Sequence, residues 1–190
     1  MLSERFQIKL FLDPKSHVEL EALVPVFHRF IRDKVLPELM IDVVDYSHVH
    51  DGPGVVLIGH ESDYYVGKLD GVLGLVYSRK RAAPAPDARL KDGLRRLLNV
   101  ARLLEHASDL KPAAQFRRDE LTLRATDRLR APNSADVAAE LGKELQQFLV
   151  PFGGATVERI ADAKGAVGVR AALKAAPNLE AWLEQLGGPA

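Results

Sequence analysis

Cysteine is absent from the chain, which excludes disulfides, thiolate metal sites, iron–sulfur clusters and cysteine nucleophiles. Aromatic residues make up only 6%, with one tryptophan, so rings on which unpaired nucleic-acid bases would stack are scarce. Net charge is missing too. The 26 basic and 26 acidic residues cancel, leaving no overall field to draw a polyanion or an anionic membrane toward the molecule. No apolar run approaches the length that spans a bilayer, and the first residues, MLSERFQIKLFLDPK, interleave charges with apolar positions, unlike a secretory leader. A cytoplasmic protein with no membrane partner is expected. The glycines of GPG, GVLG and GG match neither the phosphate-binding loop nor the dinucleotide fingerprint, and no cofactor is implied.

What is present is enough apolar surface for an interior: 190 residues at 47% apolar fit one domain of ordinary size. The cancelling charges are unevenly placed. Residues 1–76 hold 7 basic and 12 acidic groups, 77–130 hold 14 and 7, and 131–190 hold 5 and 7. The middle is the basic part.

FQIKLFL, residues 6–12, alternates as a half-buried strand does and is stopped by Asp13-Pro14. Ser16 and Glu19 have capping-box spacing, and Leu20, Leu23, Val24, Phe27, Phe30 and Ile31 recur on one helical face, which predicts a helix to about Lys34. Strands are predicted over 40–50, 54–61 and 71–78, joined by glycine-bearing turns. AAPAPD, residues 82–87, reads as a linker before a leucine stripe from Leu90 to Leu104 that describes a long amphipathic helix. A strand over 120–129, a helix capped at Asn133 or Ser134, strands over 155–161 and 167–173 and a helix capped by Asn178 follow. The expectation is an α+β fold with a mixed or antiparallel sheet and helices on one face. It is one domain over 1–190, made of two ferredoxin-like pseudo-repeated halves, 1–82 and 88–190.

HVHDGPGVVLIGHESDYY, residues 48–65, gathers three of the six histidines around a glycine-rich turn. With Gly52-Pro53 at the turn centre, Asp45 faces His60 while His48 and His50 point to the other side. The catalytic candidates are then His60, oriented as a general base by Asp45, with Glu61 beside it. The metal candidates are His48 and His50, which need a third ligand. Set against these are a structural cross-strand hydrogen bond and exposed edge-strand histidines. No serine lies in a nucleophile-elbow pattern.

PVFHRFI, IDVVDYSHV, GPGVVLIGHESDY and GLVYSRKR together resemble a family of uncharacterised bacterial proteins in which similar blocks occur in the same order. The likeness covers about the first 80 residues and carries no assigned activity. Three functions are weighed. A non-catalytic protein-interaction or scaffold module, self-associating or docking a protein partner on an uncovered sheet face or the long helix, ranks first. A small-ligand or metal-binding protein or enzyme centred on the 45–65 hairpin ranks second. Nucleic-acid binding through the basic 77–130 segment ranks last.

Overall fold

The computed structural model describes residues 3–161 and 165–189. Its strands are β1 (Phe6–Leu12), β2 (Met40–Tyr46), β3 (Gly54–Gly59), β4 (Ser62–Gly67), β5 (Gly74–Arg79), β6 (Phe116–Ala125), β7 (Ala155–Arg159) and β8 (Gly168–Leu173). They form one sheet in the order β2-β3-β4-β5-β1-β6-β8-β7, and every neighbouring pair is antiparallel. The helices are α1 (Leu23–Arg32), α2 (Arg89–Glu105), α3 (Ala135–Leu149) and α4 (Leu179–Gln185). The α+β architecture with an antiparallel sheet is as expected. The two halves are unequal, the first contributing five strands and the second three.

Alternation decides the two faces of the sheet. Phe6, Ile8 and Leu10 of β1 lie beside Leu75, Tyr77 and Arg79 of β5 on one side and Leu121, Leu123 and Ala125 of β6 on the other. The buried stripes of all four helices join this face in a single apolar cluster. α1 packs on β2 and β3, α2 on β5 and β1, α3 on β7 and β8, and α4 on α2. Glycine lets α2 come close to the sheet: a Cβ on Gly93 would lie 2.7 Å from Cε2 of Phe6. On the opposite face Val56, Tyr65 and Val76 form a small second cluster with Ile58 and Leu69. The β4–β5 connection folds over part of it, because the buried Lys9 ammonium donates to the carbonyls of Leu69 and Val72.

Several boundaries differ from expectation for identifiable reasons. Ser16 does not cap a helix; its hydroxyl accepts from the Gln115 N–H at 3.1 Å and donates to the Ala113 carbonyl at 3.3 Å. α1 therefore starts later, after a 3-10 turn at Leu20–Ala22, and Pro25 falls in its first turn, where an N–H has no helical acceptor. β6 begins at Phe116, which is buried opposite Leu12, and stops before the exposed Leu129. The stretch Ser62–Gly67 is a full strand, β4, where only a loop was foreseen. α3 and α4 carry the anticipated caps: Ser134 accepts from the Val137 N–H, and Asn178 from those of Glu180 and Ala181.

Candidate functional site

The β2–β3 hairpin is longer at its tip than the sequence implied. Tyr46 pairs with Gly54, Asp45 with Val55 and Val44 with Val56, leaving residues 47–53 as the connection. Turns closed by Tyr46 O to Val49 N (3.0 Å) and Val49 O to Gly52 N (2.9 Å) build it, with Asp51 at φ 56° and Gly54 at φ 77°. Asp45 consequently faces Val55 and not His60. Its carboxylate accepts from the Ser47 N–H at 2.8 Å, and hydrogen bonding from Ser47 holds it below the ordinary aspartate range. His48 and His50 sit in the connection, His50 with its side chain 99% exposed and 3.5 Å from Asp51. With Ser47, Asp51 and Lys68 they line a shallow hollow of about 470 Å³. His60 lies at the other end of β3, exposed in the β3–β4 turn. The three histidines are thus divided between the two ends of one strand. Among the described residues no group of three or more His, Asp or Glu is placed to hold a metal ion.

Glu61, the third catalytic candidate, belongs to a different constellation. Beneath the β4–β5 pair, Glu38 from the α1–β2 link, Glu61 from the β3–β4 turn, Arg79 from β5 and Asp92 and Arg96 from α2 meet in one buried ionic cluster. Glu38 Oε2 accepts the backbone N–H groups of Glu61 and Ser62, both at 2.9 Å. Its Oε1 accepts from the Ser62 hydroxyl, from Tyr64 at 3.2 Å and from Arg96 at 3.2 Å. Arg79, 1% exposed, bridges Asp92 and, at 2.9 Å, Glu61. Arg96 reaches Asp92 at 3.0 Å and Glu61 at 3.4 Å.

Three carboxylates face two guanidiniums, and the N–H and hydroxyl donors on Glu38 make up the difference. Burial is the largest influence on the Arg96 guanidinium and pulls it down, but Asp92, through its charge and its hydrogen bond, together with Tyr64 and Tyr77 outweighs it, and the net displacement is upward. Burial first, then the Glu38 charge, pushes the Tyr64 phenol well up, and burial does the same for Tyr77, so both keep their protons. With every carboxylate engaged by guanidinium or N–H donors, the arrangement clamps α2 and the α1–β2 link onto the sheet. Sequence reasoning had not joined these residues. Two signals were there: Arg79 shares the strand parity of the buried Leu75 and Tyr77, and Asp92 and Arg96 stand four apart on α2. Nothing local marked Glu38.

The basic segment is dispersed in the same manner. Arg117 pairs with Asp119 and Glu120, Arg118 with Glu105, Arg130 with Glu4, and Arg124 donates to the Ala166 carbonyl at 2.9 Å.

The sheet has two free edges of opposite character. β7 is short and ends in the exposed pair Glu158 and Arg159, the charged kind of edge that resists pairing. β2 is longer and carries apolar residues outward. Ile41, 56% exposed, is the extra residue of a bulge: Met40 is opposite Gly59 and Asp42 opposite Ile58, so Ile41 has no partner on β3. Leu39, 69% exposed, and Val35 lie just before it. No protein-family model matches the chain, and no curated protein matches it. No described helix is long and apolar enough to cross a membrane.

Proposed function

We propose that the chain is a non-catalytic protein-interaction module of the bacterial cytoplasm that self-associates through the β2 edge. The observation that carries this reading is the patch of Val35, Leu39 and Ile41 on and beside an open edge strand. Large aliphatic side chains gathered at one edge lose contact with water only when another surface covers them. A second copy is the simplest cover, since a two-fold axis places the same patch against itself. The cancelling charges support it, because two copies of a chain with net charge zero do not repel each other at long range. The contact is made by side chains more than by strand addition: the Val43 N–H is already met by the Asp42 carboxylate at 2.8 Å.

The test is mass measurement by light scattering across a concentration series. The wild type is expected to be dimeric, and Leu39→Asp with Ile41→Asp to be monomeric with an unchanged circular dichroism spectrum. A wild type that stays monomeric at the highest concentration rejects the reading, as does a dimer indifferent to both substitutions.

A further inference from the structure

On the face of the sheet away from the helices, the three central strands end in a cluster of hydrogen-bond donors. Ser78 of β5 is opposite Gln7 of β1, which is opposite Arg124 of β6. Two residues further along, the same registers bring Lys80, Arg5 and Thr126 abreast on the same face, and the Thr126 N–H donates to the Arg5 carbonyl at 3.0 Å. These side chains and Arg81 line a hollow of about 420 Å³. Like charges directly across neighbouring strands repel, and here Lys80 and Arg5 are neighbours with Arg81 beside them. Lys80 engages the Asp63 carboxylate at 2.7 Å, and Arg79, which also lines the hollow, is held by Glu61 and Asp92. Arg5 and Arg81 are exposed and carry no side-chain ion pair among the described residues, whereas Arg79 and Arg96 are bound to carboxylates.

We infer that this hollow binds the phosphate group of a small phosphorylated molecule. Two guanidinium forks suit the geometry of a phosphate dianion, which accepts two parallel N–H bonds from each. The hydroxyls add neutral donors: Ser78 already accepts from Gln7 at 3.3 Å, so its own proton is left to give, and Thr126 lines the same hollow from the end of β6. The volume is that of a small-ligand site. A polynucleotide needs cations continuing along its backbone. Here Arg117, Arg118 and Arg130 of the basic segment point to Asp119, Glu105 and Glu4 instead.

The experiment is calorimetric titration of the full chain with inorganic phosphate and with pyrophosphate, ionic strength held constant with chloride. Saturable one-to-one binding is expected. Arg5→Gln and Arg81→Gln should each weaken it about tenfold or more, the loss of one charge-assisted pair, while Lys91→Gln on the exposed side of α2 leaves it unchanged. Both arginines are exposed, and matching melting curves would show that the variants are folded. The inference is overturned if neither anion gives saturable binding, or if both arginine variants bind as the wild type does. Tighter binding of a single-stranded oligonucleotide than of pyrophosphate, with a steep salt dependence, would also overturn it and assign the surface to a polynucleotide.

Discussion

Arg79 and Asp92 form an ion pair across the sheet–helix interface, with the guanidinium 1% exposed and held on its other side by Glu61 at 2.9 Å. Removing the guanidinium leaves Glu38, Glu61 and Asp92 sharing Arg96 as the cation of the cluster. Arg79→Ala is expected to lower the unfolding free energy by about 3–5 kcal/mol. Glu61→Gln, at the half-buried rim of the cluster, keeps an oxygen for Arg79 and should cost less, about 1 kcal/mol. Urea unfolding of the two variants checks the order, and equal losses would mean that burial does not set the strength of this cluster.

Gly93 offers a case where helix propensity and packing oppose each other. Alanine is favoured over glycine inside a helix by about 1 kcal/mol. Its Cβ, however, would press on the buried Phe6 ring at 2.7 Å and lie 3.2 Å from Ile8. Overpacking a core costs about 1–3 kcal/mol, so Gly93→Ala is expected to destabilise. A higher melting temperature would show that the ring yields.

The histidines of the opening window give a third expectation. His48, His50 and His60 are exposed, and substitutions at such positions usually stay within about 0.5 kcal/mol. Replacing all three by glutamine should shift the melting temperature by no more than about 6 °C for a chain of this size. A larger fall would show that one of them is held in a structural contact.

Titration bounds the stable range on both sides. Tyr64 and Tyr77 have folded-state pKa values raised by burial, so above the unfolded value of about 10 the folded chain binds more protons than the unfolded one. Their contribution is complete below that pH and is lost as pH rises beyond it. Asp33, Asp45 and Asp119 are displaced the other way, by hydrogen bonds from Arg32, Ser47 and Arg117 respectively. Their contribution is present above about pH 4 and is lost as pH falls through their folded values. Urea midpoints should fall on going above about pH 10 and on going below about pH 4. Phenolate absorbance should show two tyrosines ionising only as the protein unfolds in base. Four phenols titrating together in the folded state would contradict the burial of Tyr64 and Tyr77.

The leucine stripe of α2 and the caps Ser134 and Asn178 were legible because helix periodicity and capping are local. β4 was not, since the tight Gly59-His60-Glu61-Ser62 turn lacks the usual Asn-Gly signal. The hairpin register differs for a related reason: Gly52-Pro53 reads as a turn centre, while the chain reverses through two successive turns from Tyr46 to Gly52. Among the candidate residues, Glu61 and His60 are neighbours in sequence with opposite fates, one drawn into the ionic cluster and the other left in solvent. Glu38 was invisible, because each of its partners is at least 23 residues away and a lone glutamate in a loop has no pattern to betray it.

The central place of β1 sets an order on synthesis. It pairs with β5 and also with β6, Phe6 lying opposite Ala125, so the strand made first cannot be closed on both sides until most of the chain has left the ribosome. Until then, a five-stranded half-sheet carries an open, largely apolar inner edge. A nascent chain paused or truncated before β6 would present that edge to its neighbours, so the hazard lies in incomplete translation and not in the finished protein.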